Sequence, residues 1–136
     1  MKKIAFIGSG TMGTALATAA CKGIDPSEVV ITDVVTEKGQ KLADELGCNF
    51  VETNGEAIKA AHYVVFCVKP QFLKSVLEEV KPVFAACAEE GQEKIIVSIV
   101  AGVEVSTYMK ELELEGKNVP VIRILRNTAW LIGKGF

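Results

Sequence analysis

The sequence predicts a single α/β domain over residues 1–136, with a doubly wound, mostly parallel sheet. Short apolar runs rich in β-branched residues alternate along the chain with stretches of helical composition. The most apolar run, residues 63–68, has no polar alternation, which is typical of a central parallel strand covered on both faces. At 136 residues, of which 49% are hydrophobic, the chain is long enough to bury a sizeable core.

The first predicted strand, residues 4–7, leads into glycines at positions 8, 10 and 13 and then into a helical run over residues 14–20. This G-x-G-x-x-G spacing between strand and helix is typical of dinucleotide binding. Gly8 allows the turn, Gly10 lets the backbone approach a pyrophosphate, and Gly13 lets the helix pack on the strand. The positive end of the helix would face the phosphates. The alternative is a glycine-rich turn without a ligand.

The next elements follow turn residues between Gly23 and Ser27. Residues 29–32 are β-branched and predict the second strand. Residues 36–46 predict a helix with Thr36 as its N-cap and Gly47 as its stop, and a brief third strand follows at residues 49–51.

Asp33 ends the second strand, 20 residues beyond Gly13. An acidic residue at this place takes the ribose 2′-OH of NAD and repels the 2′-phosphate of NADP. Asp33 therefore favours NAD, although Lys38 could reach a phosphate from the following helix. The alternative interpretation is a helix-capping or solvated aspartate.

The middle of the chain predicts a short helix over residues 54–61, with its first residue, Asn54, as the cap. The central strand at 63–68 is followed by Pro70, placed to begin a helix that extends over residues 72–87. Pro82 is expected to kink that helix or to end its first part.

The last third predicts a buried strand at residues 95–99, a turn at 101–102, a helix over 106–114 and a strand over 119–125. Strands that alternate with helices in this way require right-handed crossovers and a parallel sheet.

The carboxyl ends of the strands are where such sheets bind ligands. The residues there are the candidates for cofactor binding: Gly8, Ser9, Gly10, Thr11, Met12, Gly13, Asp33, Asn54, Val68, Lys69, Pro70, Ala101, Gly102, Asn127 and Thr128. Lys69 with Pro70 could bring a cation to the phosphates or only shape a turn, and Met12 could equally belong to the core. No nucleophile–base pair or carboxylate dyad is recognisable, so no catalytic residue is assigned.

Charge and composition argue against several other classes of protein. A formal charge of −2 gives no reason to expect a nucleic-acid or membrane partner. No apolar run approaches transmembrane length, and no signal peptide precedes the first strand, so a cytoplasmic location is expected. The four cysteines, which are widely spaced and expected to be reduced and packed, are Cys21, Cys48, Cys67 and Cys87. His62, the single histidine, precedes a strand and is expected at the surface, so no metal site is expected.

The chain resembles the pyrroline-5-carboxylate reductase family from end to end. The resemblance is carried by Asn54 and by four stretches, which are I-G-S-G-T-M-G (7–13), V-V-F-C-V-K-P-Q (64–71), S-I-V-A-G-V (98–103) and V-I-R-I-L-R-N-T-A (121–129). It implies a Rossmann domain that binds NAD(P)H, followed in the family by a helical domain for dimer contacts and the substrate pocket. That helical domain is expected to be absent from this chain.

The resemblance also implies a reaction and roles for residues. Hydride would pass from NAD(P)H to the C=N carbon of Δ1-pyrroline-5-carboxylate, giving L-proline in the last step of proline biosynthesis. The glycine loop at 8–13, Asn54, residues 68–70 and residues 101–102 would line the cofactor. Asn127 and Thr128 would approach the nicotinamide and the substrate. The intact family is expected to be homo-oligomeric.

Three departures from the family pattern bear on activity. The family usually has M-P-N-T-P where this chain has residues 125–129, so both prolines are lost and Arg126 adds a charge. Many members carry Asn or Ser followed by Arg where this chain has Asp33 and Val34, which favours NAD. The chain also stops at Phe136, about where the helical domain should begin.

These departures lead to the expectation of a domain that binds NAD(P)H but reduces the imine poorly or not at all. Two alternatives stay open. One is a related reductase acting on another imine or with a deazaflavin cofactor, and the other is a non-catalytic dinucleotide-binding module.

Overall fold

Six parallel strands form the centre of the part of the chain that the computed structural model describes, which is residues 2–8, 10–99, 104–114 and 119–123. The strands are β1 (Lys2–Ile7), β2 (Val29–Thr32), β3 (Asn49–Phe50), β4 (Ala61–Phe66), β5 (Ile95–Ser98) and β6 (Val121–Arg123). Their order in the sheet is β3-β2-β1-β4-β5-β6, and all five pairings are parallel. The order reverses between β1 and β4, and the predicted doubly wound α/β fold is confirmed.

Helices cover the sheet from both sides. They are α1 (Thr11–Gly23), α2 (Thr36–Leu46), α3 (Asn54–Ala60), α4 (Pro70–Glu89) and α5 (Val105–Glu111), with a 3₁₀ turn at Pro26–Glu28. Alternate residues of β1 divide between two cores, because side chains along a strand point to opposite faces. Ala5 and Ile7 belong to the core under α3, α4 and α5, whereas Phe6 packs in the core under α1 and α2.

Pro82 lies inside α4 and does not end it, contrary to one of the two expected outcomes. The helix continues to Glu89 because its buried stripe continues across the proline, from Leu77 and Val80 to Phe84. Pro70 is the first helical residue, as predicted. No helix in the described ranges is both long and apolar enough to cross a membrane.

The helix caps differ from the predicted ones by one residue. Val35 and not Thr36 is the N-cap residue of α2, without a side-chain cap, and Thr53 and not Asn54 is the N-cap residue of α3. The hydroxyl of Thr53 accepts a hydrogen bond from the Glu56 amide at 3.1 Å, which is one half of a capping box, and donates to Oε1 of Glu56 at 3.0 Å. At the other end of α2, Gly47 takes the left-handed conformation expected of a stop residue, with φ of 74°.

The buried side chain of Lys94 binds the carbonyl oxygens at the C-terminal end of α3. Lys94 is 1% exposed, and its Nζ donates to the carbonyl oxygens of Ile58 and Ala61 at 2.6 Å each. The carbonyls of a last helical turn lack partners within their own helix, so this ammonium satisfies groups that would otherwise be buried without a bond. Burial lowers the pKa of Lys94.

One half of a sheet face has no covering helix among the described residues. Tyr63, Val65, Val97 and Ile99 line an apolar groove of about 410 Å³ beside α1, and Ile122 on the edge strand is 47% exposed. The other face of these strands packs under α4 and α5, with Ile96 and Ser98 of β5 fully buried and Val121 of β6 partly buried. Among the described residues, the sheet is therefore covered on both faces over β1 and β2 but on one face over β5 and β6.

Candidate functional site

Gly8 lies at the junction of three strand ends. Its amide donates to the Thr32 carbonyl at 3.0 Å, at the end of β2, and the Cys67 amide donates to the Ile7 carbonyl at 2.8 Å, beyond the end of β4. Gly8 has φ of +94°, and a Cβ at this position would lie 3.2 Å from Val68 Cγ1. Only glycine fits this turn without strain, as the sequence predicts.

The other two glycines of the loop have different surroundings. A Cβ at Gly13 would lie 2.9 Å from the Gly8 carbonyl oxygen and 3.0 Å from Cys67 Cβ, so the predicted packing role of Gly13 is confirmed. A Cβ at Gly10 would meet no described atom within 4 Å, and its φ of −65° suits any residue. Packing within the described chain therefore does not explain why residue 10 is a glycine. The close approach of a ligand to the backbone of the loop would explain it.

The start of α1 faces the same crevice. Gly10 is its N-cap and has no side chain to accept from the first amides, and no acidic residue lies in the first turn. These amides and the positive helix end suit an anion such as a pyrophosphate. The neighbouring Met12 is half-buried and packs against the core under α1 and α2, so its side chain belongs at least partly to that core.

Asp33 stands at the end of β2, the position predicted for the ribose contact. Its Oδ1 accepts a hydrogen bond from the Val35 amide at 2.9 Å, which holds the carboxylate in a local turn before α2. This bond forms a local turn and not a helix cap, because the N-cap of α2 is Val35 and has no side-chain cap, and it fixes the carboxyl group at the strand end. Val34 beside it is 93% exposed, and Lys38 is exposed in α2.

The turn between β4 and α4 forms the other side of the crevice. Val68 packs beside Gly8, and Lys69 is the exposed N-cap residue before Pro70. Burial raises the pKa of the Cys67 thiol to about 12. Cys67 is therefore protonated at neutral pH and serves as packing beneath the glycine loop, and not as a nucleophile.

Asn54 is the first residue of α3, and its side chain has a partner that the sequence did not reveal. Its Nδ2 donates to Oε2 of Glu79, on α4, at 3.2 Å. The two residues are 25 positions apart, so no local spacing or periodicity connects them.

Five of the predicted site residues, namely Ser9, Ala101, Gly102, Asn127 and Thr128, lie outside the described residues, as do the altered residues 125–129. The side chain of Thr11 is likewise not described.

His62 differs from its expected position. It lies within β4 and not before it, is half-buried, and its Nδ1 donates to the Glu93 carbonyl at 2.8 Å. Cys21, Cys48, Cys67 and Cys87 are all free thiols. Across the described ranges, no three His, Cys, Asp or Glu side chains come together as a metal site would require.

Comparison with known proteins gives the family. The family described as "NADP oxidoreductase coenzyme F420-dependent" matches residues 3–102, which include β1 to β5 and the glycine loop. The chain belongs to this family.

Individual relatives agree with the resemblance predicted from the sequence. The chain is 33% identical over 136 residues to a pyrroline-5-carboxylate reductase of Corynebacterium melassecola, covering 99% of this chain and 48% of that protein. Among solved structures, the pyrroline-5-carboxylate reductase of Coxiella burnetii superimposes with a TM-score of 0.78 at 26% identity, covering 96% of this chain and 46% of that one. The chain thus spans about half the length of the relatives it matches, and the predicted resemblance is confirmed.

A more distant structure supports the fold alone. The pyrroline carboxylate reductase of Plasmodium falciparum, whose structure has NADP bound, gives a TM-score of 0.68 at 22% identity, covering 97% of this chain and 45% of that one.

Proposed function

We propose that this chain is the cofactor-binding domain of a pyrroline-5-carboxylate reductase-like oxidoreductase and holds NAD(P)H at the carboxyl ends of β1, β2 and β4. The observation that carries this proposal is Gly10. Gly8 and Gly13 are required by the packing of the described chain, but Gly10 is not. A glycine at the start of a helix with open amides leaves room for a pyrophosphate against the backbone.

The remaining contacts follow from the positions of the strand ends. The first turn of α1 would hold the pyrophosphate, Asp33 the ribose hydroxyl, and Lys69 would stand near the phosphates as a cation. By the resemblance, Ala101 and Gly102 would line the cofactor, and Asn127 and Thr128 would lie on the nicotinamide and substrate side. The bound dinucleotide would supply the hydride to the C=N carbon of Δ1-pyrroline-5-carboxylate, and with a proton on the ring nitrogen the product is L-proline. The protein contributes binding, orientation and exclusion of water.

The complete reaction is proposed to need more of the fold than this chain contains, because the chain spans about half the length of its reductase relatives. Its substrate would be a small imino acid, its location cytoplasmic, and the complete enzyme a homo-oligomer. This chain alone would bind the cofactor and turn over the imine slowly or not at all.

The first experiment is a calorimetric titration of the purified chain with NADH and with NADPH, followed by an assay of Δ1-pyrroline-5-carboxylate reduction. Saturable binding of at least one dinucleotide, with turnover far below that of a complete reductase, is the expected result. Absence of binding to both would overturn the proposal, and turnover equal to that of a complete reductase would overturn its second half.

Replacing Asp33 by serine should shift the choice of cofactor. The carboxylate repels a 2′-phosphate and accepts from a 2′-hydroxyl, so Asp33→Ser should strengthen NADPH binding and weaken NADH binding, each by about threefold to tenfold. Serine can still accept from the Val35 amide, which keeps the local turn. Titration of both dinucleotides into the variant measures the ratio of the two dissociation constants. An unchanged ratio would mean that Asp33 only shapes the turn before α2.

A second candidate is a reductase that uses a deazaflavin, because the matched family is described by its dependence on coenzyme F420. This candidate would bind the deazaflavin together with NADPH, and the same calorimetric titration with a deazaflavin would detect it. A non-catalytic module would bind NAD(P)H but show no turnover with any imine.

A further inference from the structure

The hydrogen bond between Asn54 and Glu79 joins a predicted cofactor residue to a helix that the sequence analysis did not connect with the site. Asn54 Nδ2 and Glu79 Oε2 are 3.2 Å apart. Because a carboxylate only accepts hydrogen bonds, the amide nitrogen and not the amide oxygen of Asn54 must face Glu79.

Packing next to this bond holds the two helices together. A Cβ at Gly55 would lie 3.3 Å from Val83 Cγ2, so the start of α3 approaches α4 closely. Glu79 and Val83 are four positions apart on α4 and therefore lie on one side of that helix, one turn from each other. The same side of α4 thus meets both Asn54 and Gly55, and the hydrogen bond is not an isolated contact of two surface side chains.

The chain enters α3 from the side of β2, the strand that Asp33 follows. β3 pairs with β2, and beyond β3 the Val51 amide donates to the Ile31 carbonyl at 3.0 Å, so the chain that leads into α3 leaves the sheet next to β2. Under the proposed function this is the region of the adenosine ribose. If Asn54 contacts the cofactor as the resemblance implies, its partner Glu79 would add a second negative charge on the side of the ribose 2′ position.

We propose that Glu79 is a specificity-determining residue, which disfavours a dinucleotide with a 2′-phosphate relative to one with a free 2′-hydroxyl. It acts in two ways. Its charge opposes the charge of the phosphate, and its carboxylate occupies one of the two amide hydrogens that Asn54 could offer to a phosphate oxygen. The hydroxyl of NAD carries no charge and can still donate to the amide oxygen. The proposal rests on the proposed function, since it requires a dinucleotide at this edge of the sheet.

The two effects can be separated by two substitutions. Glu79→Gln keeps the length of the side chain and an oxygen that accepts from Asn54, but removes the charge. Glu79→Ala removes both the charge and the acceptor. Glu78→Gln is the matched control, because Glu78 is an exposed neighbour on the same helix and the change in net charge is the same.

The experiment is a calorimetric titration of the wild-type chain and the three variants with NADH and with NADPH, at low and at high salt. Glu79→Gln should strengthen NADPH binding about threefold and leave NADH binding within about twofold, since the repulsion is partly screened by water. Glu79→Ala should strengthen NADPH binding at least as much. Glu78→Gln should change the ratio of the two affinities by less than half as much, and high salt should reduce all of these differences.

Each other outcome overturns the inference in a distinguishable way. If the wild-type chain binds a dinucleotide but both Glu79 variants keep its NADPH-to-NADH ratio, the inference fails and the proposed function stands. If both dinucleotides bind more weakly by the same factor, Glu79 has a structural role only. Thermal melting of each variant would then show the accompanying loss of stability. If the wild-type chain binds neither dinucleotide, the proposed function and the inference fail together.

Discussion

Replacing Gly10 with alanine should weaken dinucleotide binding strongly while leaving the fold intact. The φ of −65° at Gly10 is open to alanine, and no described atom lies within 4 Å of the added Cβ. A pyrophosphate held against the first turn of α1 would meet this methyl group directly. Overlap of this kind costs about 1–3 kcal/mol, so the dissociation constant for NADH should rise about fivefold to 150-fold. Calorimetry measures the binding, and urea unfolding measures the stability.

Gly23→Ala provides the control for this experiment. Gly23 ends the same helix at the opposite edge of the sheet, and a Cβ there also meets no described atom within 4 Å. The free energy of unfolding of both variants should lie within about 1 kcal/mol of the wild-type value, and only Gly10→Ala should lose affinity for NADH. Unchanged NADH binding in Gly10→Ala would remove the observation on which the proposed function rests.

Gly13→Ala should have the opposite effect and destabilise the fold itself. The added Cβ would lie 2.9 Å from a backbone oxygen, that of Gly8, and 3.0 Å from Cys67 Cβ. Neither atom can rotate away, so α1 must move from β1 and β4. The free energy of unfolding should fall by roughly 2–3 kcal/mol, even though alanine has a higher helix propensity than glycine.

Urea unfolding of Gly13→Ala and Gly23→Ala, followed by circular dichroism, compares the same chemical change at two places in one helix. The midpoint should fall clearly in Gly13→Ala and stay close to the wild type in Gly23→Ala. Equal midpoints for the two variants would contradict the close packing of α1 on the strand ends.

Local patterns were sufficient to predict the architecture and the edge of the sheet that carries the site. Apolar runs without alternation can be read directly as buried parallel strands, and the positions just beyond them follow from the topology. The glycine loop was predictable because its spacing is local, and two of its glycines, Gly8 and Gly13, are required by contacts within a few residues or with an adjacent strand end. Strand ends were less certain. β4 begins at Ala61 because Ala61 pairs with Lys2, a contact between distant parts of the chain.

The features that escaped prediction depend on distant partners. The sequence left open whether Pro82 kinks α4 or ends its first part, and the packing of Phe84 beyond the proline shows that the helix continues. The cap of α3 was assigned to Asn54 because asparagine is a good capping residue, but the hydroxyl of Thr53 takes that role. Asn54 is left to bind Glu79, and the sequence contains no sign of this pairing.

The bonds made by Lys94 link the two halves of the sheet during folding. The ammonium precedes β5 in the chain, whereas the carbonyl oxygens of Ile58 and Ala61 lie at the junction of α3 and β4. A folding intermediate with β1 to β4 in place but without β5 would lack the ammonium that these oxygens bond, and with it about 1.5–3 kcal/mol of stabilisation for each hydrogen bond. Partly formed sheets are therefore less stable. When β5 joins the sheet, Lys94 also supplies the donor for the carbonyl oxygens at the junction of α3 and β4. Unfolding of this domain should therefore proceed as one cooperative transition across the β4–β5 boundary.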